Sequence, residues 1–126
     1  MTTADSALEV AQRLIASIEA GDVDAARGCF ADNIVVWHNN DGIEQTHDES
    51  LRTLTWVIHN VSDRRYEEIR RQETATGFVQ QHVLRGTTRS GKVLELPACI
   101  VCTVEEGKIT RMDEYLDSAQ TAVLRS

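Results

Sequence analysis

The chain has 126 residues, of which 41% are apolar and 26% charged, as expected for one soluble globular domain spanning residues 1–126. Its 20 acidic and 13 basic residues give a formal net charge of −7, which argues against nucleic acid and anionic membranes as partners. No apolar run reaches the roughly 20 residues that span a bilayer, and no basic segment followed by an apolar one opens the chain, so we expect a cytoplasmic protein.

Helical signals dominate the first half of the chain. Apolar residues between Ser6 and Glu19 recur at helical spacing and predict a first helix, which Gly21 ends. Asp22 can cap a short second helix that runs to about Phe30. The β-branched run from Ile34 to Trp37 predicts a strand, and the capping box from Thr46 to Glu49 predicts the start of a third helix.

After Asp63 the apolar pattern changes to period two, which predicts strands. Four strands are expected, at Arg64 to Thr74, Phe78 to Thr88, Lys92 to Glu105 and Lys108 to Asp117. Each break between them contains a glycine, which we expect to supply positive φ in a hairpin turn. Three helices followed by an antiparallel meander indicate the α+β class, with only the last few residues loosely attached.

Two pairs of segments carry a family resemblance. They are Ala20-Gly21-Asp22 with Phe30-Ala31-Asp32, and Glu106-Gly107-Lys108-Ile109-Thr110-Arg111 with Glu114-Tyr115-Leu116-Asp117. In this order and at these separations they resemble the NTF2-like superfamily, in particular SnoaL-like polyketide cyclases, ketosteroid isomerases and limonene-epoxide hydrolases. The resemblance implies a cystatin/NTF2-like cone, in which three N-terminal helices pack on a strongly curved, mostly antiparallel sheet. It also implies an apolar pocket for a small hydrophobic molecule of polyketide, terpenoid or steroid type.

Residues carried over from the isomerases match this chain only in part. The position of the isomerase general base falls at His38, and a neutral imidazole can abstract a proton near pH 7. The tyrosine and the protonated acid of the isomerase oxyanion hole fall at Leu14 and near Ile100, neither of which donates a hydrogen bond. Steroid isomerase activity is therefore not expected.

The epoxide hydrolases give a second partial match. Their water-activating carboxylate falls at Glu114, whereas the arginine and second acid of their central strand fall near Gln80 and His82. Two residues that hold the hydrolytic water in these enzymes fall near His38 and Val36. If this chain activates water, the resemblance favours Glu114 together with an imidazole.

Strand alternation gives an independent argument for the same site. Gln80 and His82 share one face of their predicted strand, and Glu114 lies on an apolar face of the last strand. Because a helix-covered face buries such groups, we expect them to converge with His38 in one cavity. We predict that His38 and Glu114 are acid–base groups and His82 a partner or second base. The side chains expected to contact or orient the substrate are Leu14, Trp37, Asn40, Trp56, Tyr66, Gln80, Cys102 and Met112.

Each predicted catalytic residue also has a structural alternative. His38 is then a turn histidine bonded to Asn40 or Asp41, His82 a satisfied core histidine, and Glu114 one half of an ion pair with a sheet arginine. Two classes of function follow. The chain is a cofactor-independent acid–base enzyme of isomerase, cyclase or epoxide hydrolase type acting on a small hydrophobic substrate, or it is a non-catalytic ligand-binding or accessory domain.

No cofactor and no metal are expected. Cys99 and Cys102 have C-x-x-C spacing, but residues three apart on a strand point to opposite faces, so with Cys29 they are expected to be reduced thiols. The strand face that carries Val79, Gln81, Val83 and Arg85 has enough apolar surface to predict a homodimer packed through the sheet.

Overall fold

A computed structural model describes residues 6–125 and confirms the α+β class. Its helices are α1 (Ala7–Ala20), α2 (Val23–Arg27), α3 (His47–Asn60) and α4 (Ser118–Leu124). Its strands are β1 (Phe30–His38), β2 (Glu44–Gln45), β3 (Val61–Glu73), β4 (Gly77–Thr88), β5 (Val93–Glu105) and β6 (Lys108–Leu116). None of the described helices combines the length and the apolar character needed to cross a membrane.

The six strands form one sheet in the order β2-β1-β6-β5-β4-β3. Strands β3 to β6 form the predicted antiparallel meander, and β1 adds to its β6 edge in the parallel sense. The parallel register pairs Val36 with Met112 and His38 with Glu114. This pairing brings together two residues that are far apart in the sequence.

Helix α1 supplies the main apolar layer against the sheet. The side chain of Ser6 caps it by accepting from the Glu9 amide, and its buried face joins residues of β1, β4, β5 and β6 in one core cluster. Arg64 of β3 ties the helices together, because its Nε donates to the Ile18 carbonyl of α1 at 2.8 Å and its Nη1 to the Ile58 carbonyl of α3 at 3.0 Å. The helices are thereby held over the face of the sheet that carries the candidate site.

The hairpin glycines serve two different purposes. At the β5–β6 turn, Glu106 and Gly107 both have positive φ, 52° and 76°, which is the signature of a type I′ turn and confirms the prediction there. Gly77, in contrast, does not have positive φ. A side chain at Gly77 would collide with the backbone of Cys102 and Thr103 on β5, so glycine is required by close approach and the prediction of positive φ is wrong.

Several element boundaries differ from the prediction, and two elements, the short strand β2 and the helix α4, were not predicted. The second helix ends at Arg27, and β1 already begins at Phe30. The end of the chain, predicted to be loose, forms α4, which Asp117 caps by accepting from the Ala119 amide at 3.0 Å. Apolar side chains of α4 pack on a second core cluster, formed by Val61, Leu84, Leu94 and Leu96. Residues 6–125 thus contain four helices where three were expected.

Candidate functional site

A cavity of about 280 Å³ lies between the sheet and the helices α1, α3 and α4. Its walls are mostly apolar and include Leu14 and Ile18 of α1 and Met112 of β6. Its exposed lining residues, Asn40, Asp41, Thr53, Trp56 and Arg125, mark the mouth. The ionisable or phenolic side chains that line the interior are those of His38, Tyr66, His82 and Glu114.

His38 and Glu114 form a hydrogen-bonded pair in this cavity. Nε2 of His38 donates to Oε1 of Glu114 at 3.0 Å, and the two side chains are only 16% and 22% exposed. Asn39 holds the two strands together beside the pair. Its backbone N–H donates to the backbone carbonyl of Glu114 at 3.0 Å, and its side-chain Oδ1 accepts from the backbone N–H of Leu116 at 2.8 Å. The bond joins two of the predicted catalytic residues, and neither Asn40 nor Asp41 takes its place.

The environment favours the protonated form of His38. Burial, the largest single influence, lowers the pKa of His38, but the hydrogen bond to Glu114 and the charges of Glu114 and Asp41 together raise it above 6.5. His38 is therefore a stronger candidate for a proton donor near neutral pH than a free imidazole.

His82 is held differently and lies deeper. It is 5% exposed, its ring meets that of Tyr66 edge-on at 4.8 Å, and its Nδ1 lies within hydrogen-bond distance of Nε2 of Gln80, at 2.9 Å. Gln80 is fully buried, and its Oε1 accepts from Nε of Arg71 at 2.7 Å. Nη1 of Arg71 in turn donates to Oε1 of Gln12 on α1 at 3.0 Å. A chain of hydrogen bonds therefore reaches His82 from the side away from the cavity.

The pKa of His82 shifts in the opposite direction to that of His38. Burial is the main reason that the pKa of His82 lies below 6.5; the charge of Glu114 opposes this shift, and that of Arg71 adds to it. Burial also raises the pKa of Tyr66, so its hydroxyl keeps its proton at neutral pH. Two imidazoles whose pKa values are pushed apart in one cavity are suited to different roles in proton transfer.

A titration followed by NMR checks this difference. We expect the His38 imidazole to titrate above pH 6.5 and the His82 imidazole below it. The pKa of His38 is raised in the folded state above its ordinary value of 6.5. Its contribution to the free energy of unfolding is therefore fully present below pH 6.5 and is lost as the pH rises through the higher pKa of the folded state.

The same titration in variants identifies the cause of the His38 shift. In Glu114→Gln the His38 midpoint should fall, because the charge that raises it is gone while burial remains. Asp113→Asn is the matched control, since Asp113 is the neighbouring carboxylate and pairs with Arg111. An unchanged His38 midpoint in Glu114→Gln contradicts the assigned cause.

The structure places five of the eight predicted substrate-contacting residues in the cavity wall and three elsewhere. Those that line the cavity are Leu14, Asn40, Trp56, Tyr66 and Met112. Gln80 lies behind His82 and reaches the cavity only through it. Trp37 and Cys102 are not among the lining residues.

Strand geometry explains both displaced residues. Trp37 follows a cavity residue, Val36, on the same strand, so its ring lies on the opposite face, where it meets the Tyr115 ring at 5.2 Å. Cys102 pairs with Phe78 and Met112 but lies within the first core cluster, 2% exposed. Cys102 therefore contributes to the core and not to the wall of the cavity.

Sequence reasoning missed part of the site. Neither Arg71 nor Gln12 is among the predicted site residues, because a contact between α1 and β3 leaves no local signal. Helix α4 adds Thr121 and Leu124 to the lining, and its C-cap residue Arg125 also lines the cavity. A signal for α4 was available: Asp117 is a favourable N-cap, and good helix formers follow it.

The described part of the chain offers no group of three or more His, Cys, Asp or Glu side chains arranged to bind a metal ion. His38 and Glu114 bond to each other, and Nδ1 of His82 is occupied by Gln80. Imidazole, carboxylate and phenol side chains arranged in this way can exchange protons with a bound molecule and form hydrogen bonds to it.

Comparison with known proteins gives the class. The SnoaL-like domain profile matches residues 11–112, so the chain belongs to the SnoaL-like family. The family resemblance predicted from the sequence is confirmed. No curated protein matches the chain.

Solved structures agree on the NTF2-like fold at low sequence identity. A candidate polyketide cyclase from Pseudomonas putida KT2440 is 19% identical, with a TM-score of 0.82 over 95% of this chain and 98% of that chain. A candidate isomerase from Bacillus subtilis is 11% identical, with a TM-score of 0.82 over 94% and 91%. A protein with a ketosteroid isomerase-like fold from Catenulispora acidiphila, solved in complex with trimethylamine, is 12% identical, with a TM-score of 0.80 over 98% and 93%. These likenesses establish the fold, whereas function has to be argued from the site.

Proposed function

We propose that this protein is a cofactor-independent acid–base enzyme that acts on a small hydrophobic molecule bound in the cavity. The observation that carries the proposal is the half-buried His38–Glu114 pair, with a bond of 3.0 Å, in an apolar cavity that His82 and Tyr66 also line. Isolated ionisable groups in an apolar enclosure cost free energy unless they are partnered, and they are commonly retained for chemistry.

Proton transfer within this group of residues accounts for each reaction class considered. In an isomerisation, Glu114 takes a proton from the carbon next to a carbonyl, and a proton is returned to a different atom of the same molecule. In an aldol-type cyclisation, the deprotonated carbon bonds to the carbon of a second carbonyl group in the same molecule, whose C=O π bond opens, and the resulting alkoxide takes up a proton. In epoxide hydration, Glu114 takes a proton from water, whose oxygen bonds to a ring carbon. The ring C–O bond breaks, and protonated His38 supplies a proton to the leaving oxygen.

The size of the cavity narrows the substrate class. Its volume of about 280 Å³ lies just below the range of roughly 300–1,000 Å³ that is usual for pockets binding drug-sized ligands. A compact terpenoid or a short polyketide therefore fits the proposal better than a larger ring system. Trimethylamine in the Catenulispora relative supports small-molecule binding, although it is much smaller than these candidates.

A non-catalytic ligand-binding or accessory protein is the second candidate function. It is favoured by Leu14 and Ile100, which both line the cavity at the positions where the resembled isomerases carry their oxyanion donors. A protein that kept the pocket and lost these donors would bind a hydrophobic molecule without transforming it.

One pair of measurements separates the two candidates. The purified protein is examined by native mass spectrometry for a bound hydrophobic molecule and is assayed against a panel of small cyclic ketones and epoxides. Turnover of a panel member supports the enzyme, and release of an unchanged bound molecule without turnover of it or of the panel supports the binding protein. Absence of both binding and turnover contradicts both proposals.

We also propose that the protein is a homodimer packed through the outer face of the sheet. On this face Val79 pairs with Val101 and Val83 pairs with Pro97, one on each side of the Gln81–Cys99 pair. Val101 is 40% exposed and Tyr115 of the adjacent strand 49%. Exposed apolar patches of this kind are typical of subunit interfaces.

A cytoplasmic location fits the three free cysteines.

Light scattering coupled to size-exclusion chromatography checks the dimer. The wild type is expected at twice the chain mass, and Val83→Arg/Val101→Arg at the chain mass, because two charges would be buried without partners. Val93→Arg is the control, since Val93 is 73% exposed and lies at the far end of β5. A monomeric wild type, or a double variant that remains dimeric, is evidence against this interface.

A further inference from the structure

The hydrogen-bond chain behind His82 has a defined direction. A guanidinium carries only donors, so the atom of Gln80 that faces Arg71 Nε must be the oxygen Oε1. The amide nitrogen Nε2 must then face His82, and because it is a donor, Nδ1 of His82 accepts and carries no proton. A neutral imidazole in this position holds its one proton on Nε2.

We propose that Arg71 is a positioning residue that, through Gln80, fixes His82 as the Nε2–H tautomer, so that His82 offers a hydrogen-bond donor to an oxygen of the molecule in the cavity. The catalytic meaning of this assignment rests on the proposed function. A carbonyl or epoxide oxygen that gains negative charge is stabilised by a preorganised donor. His82 thereby supplies a donor that Leu14 and Ile100 cannot.

The assignment gives His82 a different role from that of the His38–Glu114 pair. With Nδ1 occupied by Gln80 and the proton on Nε2, neutral His82 has no free lone pair and cannot act as a second base. Glu114 and His38 then exchange protons with the substrate, while His82 stabilises the charge that this transfer creates. The ligand class that fits has an acceptor oxygen on an otherwise apolar skeleton.

Burial makes the direction of this chain of hydrogen bonds difficult to reverse. Gln80 is 0% exposed, so its amide has no water to replace a lost partner. If the amide flipped while Arg71 stayed in place, two donors would face each other in a dry interior. Without Arg71 this penalty disappears, and Oε1 of Gln80 can turn toward His82 and accept from Nδ1–H instead.

NMR of ¹⁵N-labelled histidine side chains reads the tautomer directly in the unliganded protein near neutral pH. We expect the Nε2–H form of His82 in the wild type and a mixture or the Nδ1–H form in Arg71→Met. Arg70→Met is the matched control, because Arg70 is the preceding residue, is exposed, and makes no side-chain hydrogen bond to Gln80. It should leave His82 unchanged.

Two results overturn the assignment: an Nδ1–H tautomer in the wild type, or an unchanged tautomer in a folded Arg71→Met. If Arg71→Met does not fold, the wild type alone decides through scalar couplings across the Arg71–Gln80 and Gln80–His82 hydrogen bonds. Detection of both couplings supports the direction described, and absence of both contradicts it.

Activity separates this proposal from the function on which it rests. With a substrate that is turned over, Arg71→Met should lower kcat by up to about 10²–10³-fold, the loss typical of one such donor, with a smaller change in KM. A changed tautomer with unchanged kcat overturns the donor role. If the wild type turns over no substrate, the proposed function fails, while the NMR measurement still decides the tautomer.

Discussion

Replacing Glu114 with glutamine is expected to lower kcat/KM by about 10²–10⁴-fold, the usual contribution of a positioned general acid or base. Glutamine keeps the size of the side chain and an oxygen that can accept from His38, so the cavity should retain its shape. What is lost is the ability to take up a proton. Steady-state kinetics on the best substrate of the ketone and epoxide panel measures the effect, which should fall mainly on kcat.

Two further variants make this result specific. Asp113→Asn removes the neighbouring carboxylate on β6, which pairs with Arg111, and should retain nearly the wild-type rate. The double variant His38→Ala/Glu114→Gln should be no slower than the slower single variant, because the two residues act as one unit. Wild-type rates in both His38→Ala and Glu114→Gln would refute the proposed enzyme.

Replacing Gly77 with alanine is expected to be the most destabilising single substitution proposed for this protein, by at least about 4 kcal/mol. A Cβ at this position would lie inside contact distance of the Cys102 carbonyl oxygen, 2.8 Å from the Cys102 carbonyl carbon and 3.0 Å from the Thr103 Cα. All three atoms are backbone, so no side chain can rotate away. The β4–β5 pairing has to separate at that end.

Gly91→Ala, in the next hairpin, is the matched control. Gly91 has φ of 85°, but a Cβ added there would meet nothing within 4 Å beyond its chain neighbours, so alanine should cost only about 1–2 kcal/mol of backbone strain. Urea unfolding compares the two variants, with the slope checked for two-state behaviour. A Gly77→Ala cost no larger than that of Gly91→Ala would show that the close approach is not what requires glycine.

Periodicity was sufficient to predict the faces of the sheet. The alternation in β4 and β6 correctly grouped Gln80 with His82 and Met112 with Glu114, because a half-covered strand leaves a strict two-residue pattern. It could not predict that β1 pairs with β6, since a parallel contact between distant segments has no local signature. The bond between His38 and Glu114 depends on that pairing.

The remaining errors have equally physical causes. The size of its aromatic ring favoured Trp37 as a pocket residue, but strand alternation places it on the face opposite to Val36 and His38. Arg71 and Gln80 were not recognised as a unit, because they meet across two strands whose bulged register cannot be counted from the sequence. Helix α4 has seven residues, too few for apolar spacing to stand out, and tertiary packing holds it in place.

The parallel contact between β1 and β6 also determines which changes in chain length the protein tolerates. A single-residue insertion or deletion between Ile34 and Trp37 would exchange the faces of Trp37 and His38, which would turn the imidazole outward and bring an indole into the cavity. The Arg89-Ser90-Gly91 turn lies at the surface away from the cavity, where changes in length leave these faces intact. Natural or engineered variation in length should therefore accumulate in that turn and be absent from β1.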